Sequence, residues 1–152
     1  MALIHEKLYQ SETLATVDFT DYADSLVRSV FRSYASPNAH IQLNISVGDL
    51  DLPLDLAIPC GLILNELVSN ALKYAFADGD GRLDVSLHRS GDGCQLIVAD
   101  DGVGLPDHID VNTSKTLGLQ LVNTLVAQIE GQLEVDADDG TTFRVSFPTA
   151  GP

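Results

Sequence analysis

Asn65-Glu66-Leu67-Val68-Ser69-Asn70-Ala71-Leu72-Lys73-Tyr74 decides the reading of this chain, together with Asp100-Asp101-Gly102-Val103-Gly104 further along it. Positions i, i+4, i+7 and i+8 of a helix share one face, so Glu66, Asn70, Lys73 and Tyr74 point the same way. Leu64, Leu67, Val68, Ala71, Leu72 and Ala75 cover the other side. One face is core. The other sets an acid, an amide oxygen, a cation and an aromatic ring in a row. Such groups can supply a base, a Mg²⁺ ligand, a phosphate contact and a wall for a flat heterocycle. The solvated face of an ordinary amphipathic helix has the same periodicity.

The second stretch narrows the choice. Leu96-Ile97-Val98-Ala99 reads as a buried strand, and Asp100 ends it as a carboxylate held at a strand-to-loop junction. Such a group can accept a hydrogen bond from an exocyclic amine such as that of adenine, while Gly102 and Gly104 allow close backbone approach and positive φ. By itself the pattern is also a common turn. Next, in Thr116-Leu117-Gly118-Leu119-Gln120-Leu121, a glycine opens a helical pattern whose first backbone N–H groups can hold phosphates. Gly140-Thr141-Thr142-Phe143 then starts a closing strand. Between Val103 and Leu117 the polar stretch with Pro106, Asp107, Asp110, Asn112, Thr113, Ser114 and Lys115 reads as a lid that a nucleotide would order.

Around these motifs the patterning predicts helices over residues 4–10 and 19–34, the second N-capped by Asp18. Residues 40–47 alternate as a strand, 48–51 form a turn and 53–55 a connector. Pro59 suits the first turn of a long helix ending near Phe76. Residues 82–89 and 94–100 form a hairpin around Ser90-Gly91-Asp92-Gly93. A helix over 117–130 stops at Gly131, and strands 132–137 and 141–147 turn at Asp138-Asp139-Gly140. Helices and mostly antiparallel strands in separate runs imply a two-layer α+β sandwich.

With 152 residues and 45% hydrophobic content, a sizeable core is expected. Eight basic residues against 22 acidic ones give a formal charge of −14, a surface ill suited to nucleic acid or anionic membrane. Cys60 and Cys94 lie in apolar settings at no metal spacing, which predicts a reduced, cytoplasmic protein. His40, His88 and His108 stand at no ligand spacing and read as surface residues. No stretch approaches 18 apolar residues, so no membrane contact is expected of this chain.

Four motifs in this order resemble the N box, G1 box, G2 box and final Gly-Thr element of the GHKL (Bergerat-fold) ATPases, over roughly residues 59–148. The match looks closest to sensor histidine kinases of the HisKA-2 type. Their catalytic domains carry strings similar to Asn65–Lys73, Asp100–Pro106 and Thr116–Val122. Ile4-His5-Glu6-Lys7-Leu8-Tyr9-Gln10-Ser11 also resembles the end of that family's dimerisation helix. The resemblance implies a mixed, mostly antiparallel sheet packed on three helices with an N-terminal helical extension. Residues 1–35 would be the helical segment and 36–150 the ATP-binding domain. The family's phosphoacceptor histidine lies upstream of this sequence in a string that does not occur here, so His5 is expected to be a packing or surface residue.

By the same resemblance, ATP and Mg²⁺ are the cofactors, with Asn70 the Mg²⁺ ligand. Glu66 stands where many kinases carry asparagine, and either polarises the nucleophile or holds the metal's water shell. Lys73 and Lys115 would meet phosphate oxygens, Tyr74 the adenine or ribose, and Asp100 the adenine amine. Gly102, Gly104, Gly118 and its neighbour Leu119 would form the pocket and phosphate cradle, with Thr141 near the base. The implied function is transfer of the γ-phosphoryl of Mg·ATP to a histidine on a separate dimerisation domain, with a response regulator downstream. The alternatives are an anti-sigma-type serine kinase, another GHKL ATPase module, or a degenerate domain that binds a partner.

Overall fold

The computed structural model describes residues 16–35, 40–74, 76, 80–102, 117–137 and 140–149. In chain order these form β1 (Thr16–Asp18), α1 (Phe19–Tyr34), β2 (His40–Val47), β3 (Asp51–Pro53) and α2 (Leu54–Tyr74), then β4 (Asp80–Ser90), β5 (Gly93–Asp100), α3 (Leu117–Gln128), β6 (Gln132–Asp136) and β7 (Thr141–Pro148). The expected helix over residues 4–10 lies outside the described residues.

The sheet runs in the order β2-β4-β5-β7-β6, and the short β1 and β3 pair separately. β2 lies parallel to β4, while every other neighbouring pair is antiparallel. The mixed, mostly antiparallel sheet and three helices agree with the α+β expectation. Alternation decides which face is covered. Leu83, Val85 and Leu87 of β4, Cys94, Leu96 and Val98 of β5, and Phe143, Val145 and Phe147 of β7 are buried with the apolar sides of the helices. The opposite face is wet and polar, carrying Asn44 to Asp84 (2.8 Å), Ser46 to His88 (3.0 Å) and the Arg82–Asp84 and Arg144–Glu134 ion pairs.

Asp18 caps α1 as anticipated: its carboxylate accepts the Thr20 N–H at 3.1 Å, satisfying one of the orphan donors of the first turn. Phe19, Tyr22, Ala23, Val27 and Val30 then enter the same core as α2. Several boundaries differ from the sequence expectation, most by one or two residues at strand ends, and three differences have a clear physical reason. α2 begins at Leu54 rather than Pro59, which becomes its sixth residue and forgoes one backbone hydrogen bond inside the helix. Asp51–Pro53 is a strand rather than a turn and connector, because β1 supplies a partner for it: Val17 pairs with Leu52, and both are buried. α3 stops two residues early, at Gln128.

That early stop has a defined geometry. Gly131 donates to the Val126 carbonyl (2.9 Å) and Glu130 to the Ala127 carbonyl (3.1 Å), the paired bonds of a Schellman ending. The left-handed residue is Glu130, at φ +57, and not the glycine. Gly131 is needed for another reason: a Cβ there would stand 2.8 Å from the Ser146 carbonyl of β7.

Candidate functional site

The ends of the elements sort the motifs. A cleft of about 460 Å³ is lined by Pro53, Asp55 and Leu56 at the start of α2, Ile129 and Glu130 after α3, and Pro148 at the end of β7. These mark one end of the layered core. The opposite end therefore gathers the last turns of α2, the first turn of α3, the exit of β5 and the entry of β7, which carry Asn70, Gly118, Asp100 and Thr141.

Asp100 lies in phase with Cys94, Leu96 and Val98, so its side chain falls on the covered face of the sheet, 9% exposed. Its strand neighbours are Leu83 on β4 and Thr141 on β7, and Thr141 is also buried. Oδ1 accepts the Gly102 N–H at 3.0 Å and the Thr141 N–H at 3.3 Å. Among the described residues no hydrogen bond uses Oδ2, an oxygen with the chemistry to accept from a ligand donor. Burial raises the Asp100 carboxyl above its ordinary value; the two N–H groups pull it back, and neighbouring Asp101 pushes it up. Gly140 makes this corner possible. At φ +97 it takes a conformation that side chains disfavour, and a Cβ there would run into the Asp100 carbonyl. Asp101, next to the key carboxylate, accepts the Arg82 N–H at 2.7 Å and ties the loop exit to β4.

On the helical side, Glu66 and Asn70 are half-buried and face the start of α3. A Cβ on Gly118 would stand 2.6 Å from Glu66 Oε2 and 3.6 Å from Asn70 Nδ2, so glycine here lets α3 open against α2. The first turn of α3 contains no acid. The positive end of its dipole therefore faces the Glu66 carboxylate, an arrangement suited equally to a phosphate. Leu119 is buried in the core, so only its backbone can serve a ligand.

The Lys73 ammonium lies 4.9 Å from the centre of the Tyr34 ring on α1. Gly104, Lys115 and the lid fall outside the described residues, as does the side chain of Tyr74. The structure thus brings together Glu66, Asn70 and Gly118 on one side and Asp100, Gly102 and Thr141 on the other. Sequence reasoning quoted Gly140 and Asp101 within motifs but gave neither a role, and it did not anticipate the contact of Lys73 with Tyr34. The Asp-Gly pair ahead of a strand was a visible signal for the first, whereas nothing local marked Tyr34.

Cys60 and Cys94 are both free and buried, and burial pushes both thiols up, so neither suits nucleophilic or metal chemistry. Among the described residues no group of three or more His, Cys, Asp or Glu side chains could hold a metal. No described helix is long and apolar enough to cross a membrane.

Comparison with known proteins agrees with this geometry. Residues 56–151 match the family described as histidine kinase-, DNA gyrase B- and HSP90-like ATPases, and residues 1–34 match a histidine kinase family, HisKA_2. The sensor histidine kinase PdtaS of Mycobacterium tuberculosis is 35% identical over 137 residues, 88% of this chain and 27% of that protein. Blue-light-activated histidine kinase 2 of Erythrobacter litoralis is 32% identical over 112 residues, covering 71% of this chain and 32% of its own length. This chain thus spans roughly a quarter to a third of the length of these two relatives. Among solved structures, the histidine kinase domain of the Erythrobacter litoralis EL346 blue-light-activated kinase superposes with a TM-score of 0.83 at 26% identity, over 93% of this chain and 70% of that one. With the motifs, the sheet order and the matched span in agreement, the chain belongs to the family of histidine kinase-, DNA gyrase B- and HSP90-like ATPases, a family of ATP-binding domains.

Proposed function

We propose that this chain is the catalytic, ATP-binding part of a two-component sensor histidine kinase, and that it works in the cytoplasm. Residues 1–35 lead from a dimerisation domain and 36–150 bind the nucleotide. The γ-phosphoryl of Mg·ATP passes to a ring nitrogen of a histidine on the dimerisation domain, of the same or a partner chain: a P–N bond forms, the bond to the β-phosphate oxygen breaks, and ADP leaves. A response regulator then takes the phosphoryl group. The observation that carries this reading is Asp100, a carboxylate held on the covered face of the sheet through one oxygen. The histidine kinase match over residues 1–34 favours it over a serine kinase.

Each residue has a role that fits its chemistry. Oδ2 of Asp100 accepts from the adenine amine, with Thr141 beside it and Gly102 shaping the exit. Tyr74 lies along the adenine or ribose. Asn70 would offer one hard oxygen to Mg²⁺, which would supply positive charge to offset that of the phosphates. That donor set fits a metal arriving with the nucleotide. Gly118 and the N–H groups of the following turn cradle phosphate, Lys73 and Lys115 offset its charge, and Gly104 belongs to the pocket wall. Glu66, beside Gly118, polarises the incoming imidazole or orders the water shell of the metal.

The test is to mix this chain with a histidine-bearing dimerisation fragment and ATP labelled in the γ-position. A label on the fragment that acid removes and alkali does not is the expected phosphohistidine. An acid-stable phosphoester would favour the serine kinase, and phosphate release without labelled protein would favour an ATPase module.

A further inference from the structure

α2 is flanked on both sides. Gly61 faces α1, where its Cβ would stand 3.1 Å from the Tyr22 ring, while Glu66 and Asn70 face Gly118 of α3. Asn70 follows Gly61 by nine residues, about half a turn around the axis at roughly 100° per residue, so α1 and α3 lie on opposite flanks. Lys73 follows Gly61 by twelve residues, about 120° around the axis, which places it on the exposed crest of α2 between the two flanks. From there its side chain can lean to either flank. Its ammonium sits over the ring of Tyr34, the last residue of α1, and so on the flank away from Gly118.

We propose that Tyr34 is a positioning residue for Lys73: its ring holds the ammonium away from the phosphate side of α2 and yields it when a nucleoside triphosphate binds. The proposal rests on the nucleotide site set out above. Two properties of the pair suit it to this task. A ring face attracts the cation without neutralising it, so the ammonium keeps its full charge and donors for phosphate, which a carboxylate partner would take up. Tyr34 is 46% exposed, so the attraction is screened and a polyphosphate outcompetes it. The ring thus opposes binding slightly, and most for ligands whose phosphates reach Lys73.

Calorimetric titration of a non-hydrolysable ATP analogue with Mg²⁺, into the wild-type chain and its Tyr34→Phe and Tyr34→Ala variants, tests this. Tyr34→Phe keeps the ring and should bind as wild type. Tyr34→Ala should bind roughly two- to five-fold more tightly, the weight of an exposed cation–π contact. In parallel, the Lys73 side-chain methylene resonances should lie upfield in the free protein through the ring current. They should move downfield on saturation with the analogue, and lie there already in Tyr34→Ala. A purely structural contact would not shift with ligand. Wild-type binding with Tyr34→Ala equal or weaker, or Lys73 resonances unmoved at saturation, overturns the proposal alone. No wild-type binding overturns the nucleotide reading and this proposal with it.

Discussion

Replacing Asp100 with asparagine exchanges one oxygen for an amide nitrogen and barely alters side-chain volume. The asparagine oxygen can keep both anchors now held by Oδ1, the Gly102 and Thr141 N–H groups at 3.0 and 3.3 Å. Its amide nitrogen then takes the place of Oδ2, so a donor would face the adenine amine. The loss of a hydrogen bond to a charged acceptor, with polar groups left unpaired, is about 2–4 kcal/mol, or about 30- to 700-fold in Kd. Stability should move the other way. Burial is the largest influence on Asp100 and raises its pKa, so the folded protein holds that proton more tightly than the unfolded chain does. The resulting stabilisation is complete below the unfolded value, about pH 4, and is lost as pH climbs through the folded value. Asparagine does not titrate, so the melting temperature of Asp100→Asn relative to wild type should rise from acid towards neutral pH. Calorimetric titration with an ATP analogue and thermal melts at several pH values read the two effects separately. A folded variant that binds as wild type would refute the role given to Asp100. A melting difference that is flat with pH would refute the electrostatic account.

Gly140→Ala forces a side chain into φ +97 and against the Asp100 carbonyl; a loss of about 3 kcal/mol or more is expected, seen as a melting temperature lower by about 6–12 °C. Gly118→Ala meets only the movable end of Glu66 at 2.6 Å. It should gain up to about 1 kcal/mol of helix propensity while weakening binding of the Mg²⁺-bound analogue, and unchanged affinity would argue against phosphate at the start of α3. Glu130→Gly relieves the left-handed residue after α3. A gain of about 1 kcal/mol, or about 2–4 °C in melting temperature, is expected, and a fall would mean that the glutamate side chain contributes more than its backbone conformation costs.

Much of the fold was visible in the chain because its signals are short-range. Asp18 ahead of an apolar periodicity, the clean alternation of residues 40–47 and Gly91-Asp92 between two strands each act within a few residues, and each marks an element found there. Pro59 misled because proline is commonest in a first turn, whereas in α2 the packing of buried Ala57, Cys60, Ile63 and Leu64 sustains a helix that starts earlier. Asp51–Pro53 gave no strand signal because a three-residue strand is defined by its partner, and β1 lies 33 positions earlier, counting from Asp51 back to Asp18.

The site divides along the same line. Periodicity along one helix and along one strand was enough to put Glu66 beside Asn70 and to mark Asp100 as a carboxylate at the end of a strand, because those placements follow from 3.6 residues per turn and from two residues per pleat. Pairing across the sheet and packing between helices decided what the chain order leaves open. Only the register of β5 with β7 brings the Thr141 N–H and Gly140 to Asp100. Only the approach of α3 to α2 sets Gly118 against Glu66 and Asn70. Only the end of α1 brings the Tyr34 ring to Lys73. A long, flexible side chain goes to the most favourable partner within reach, and its reach extends across elements that are distant in sequence.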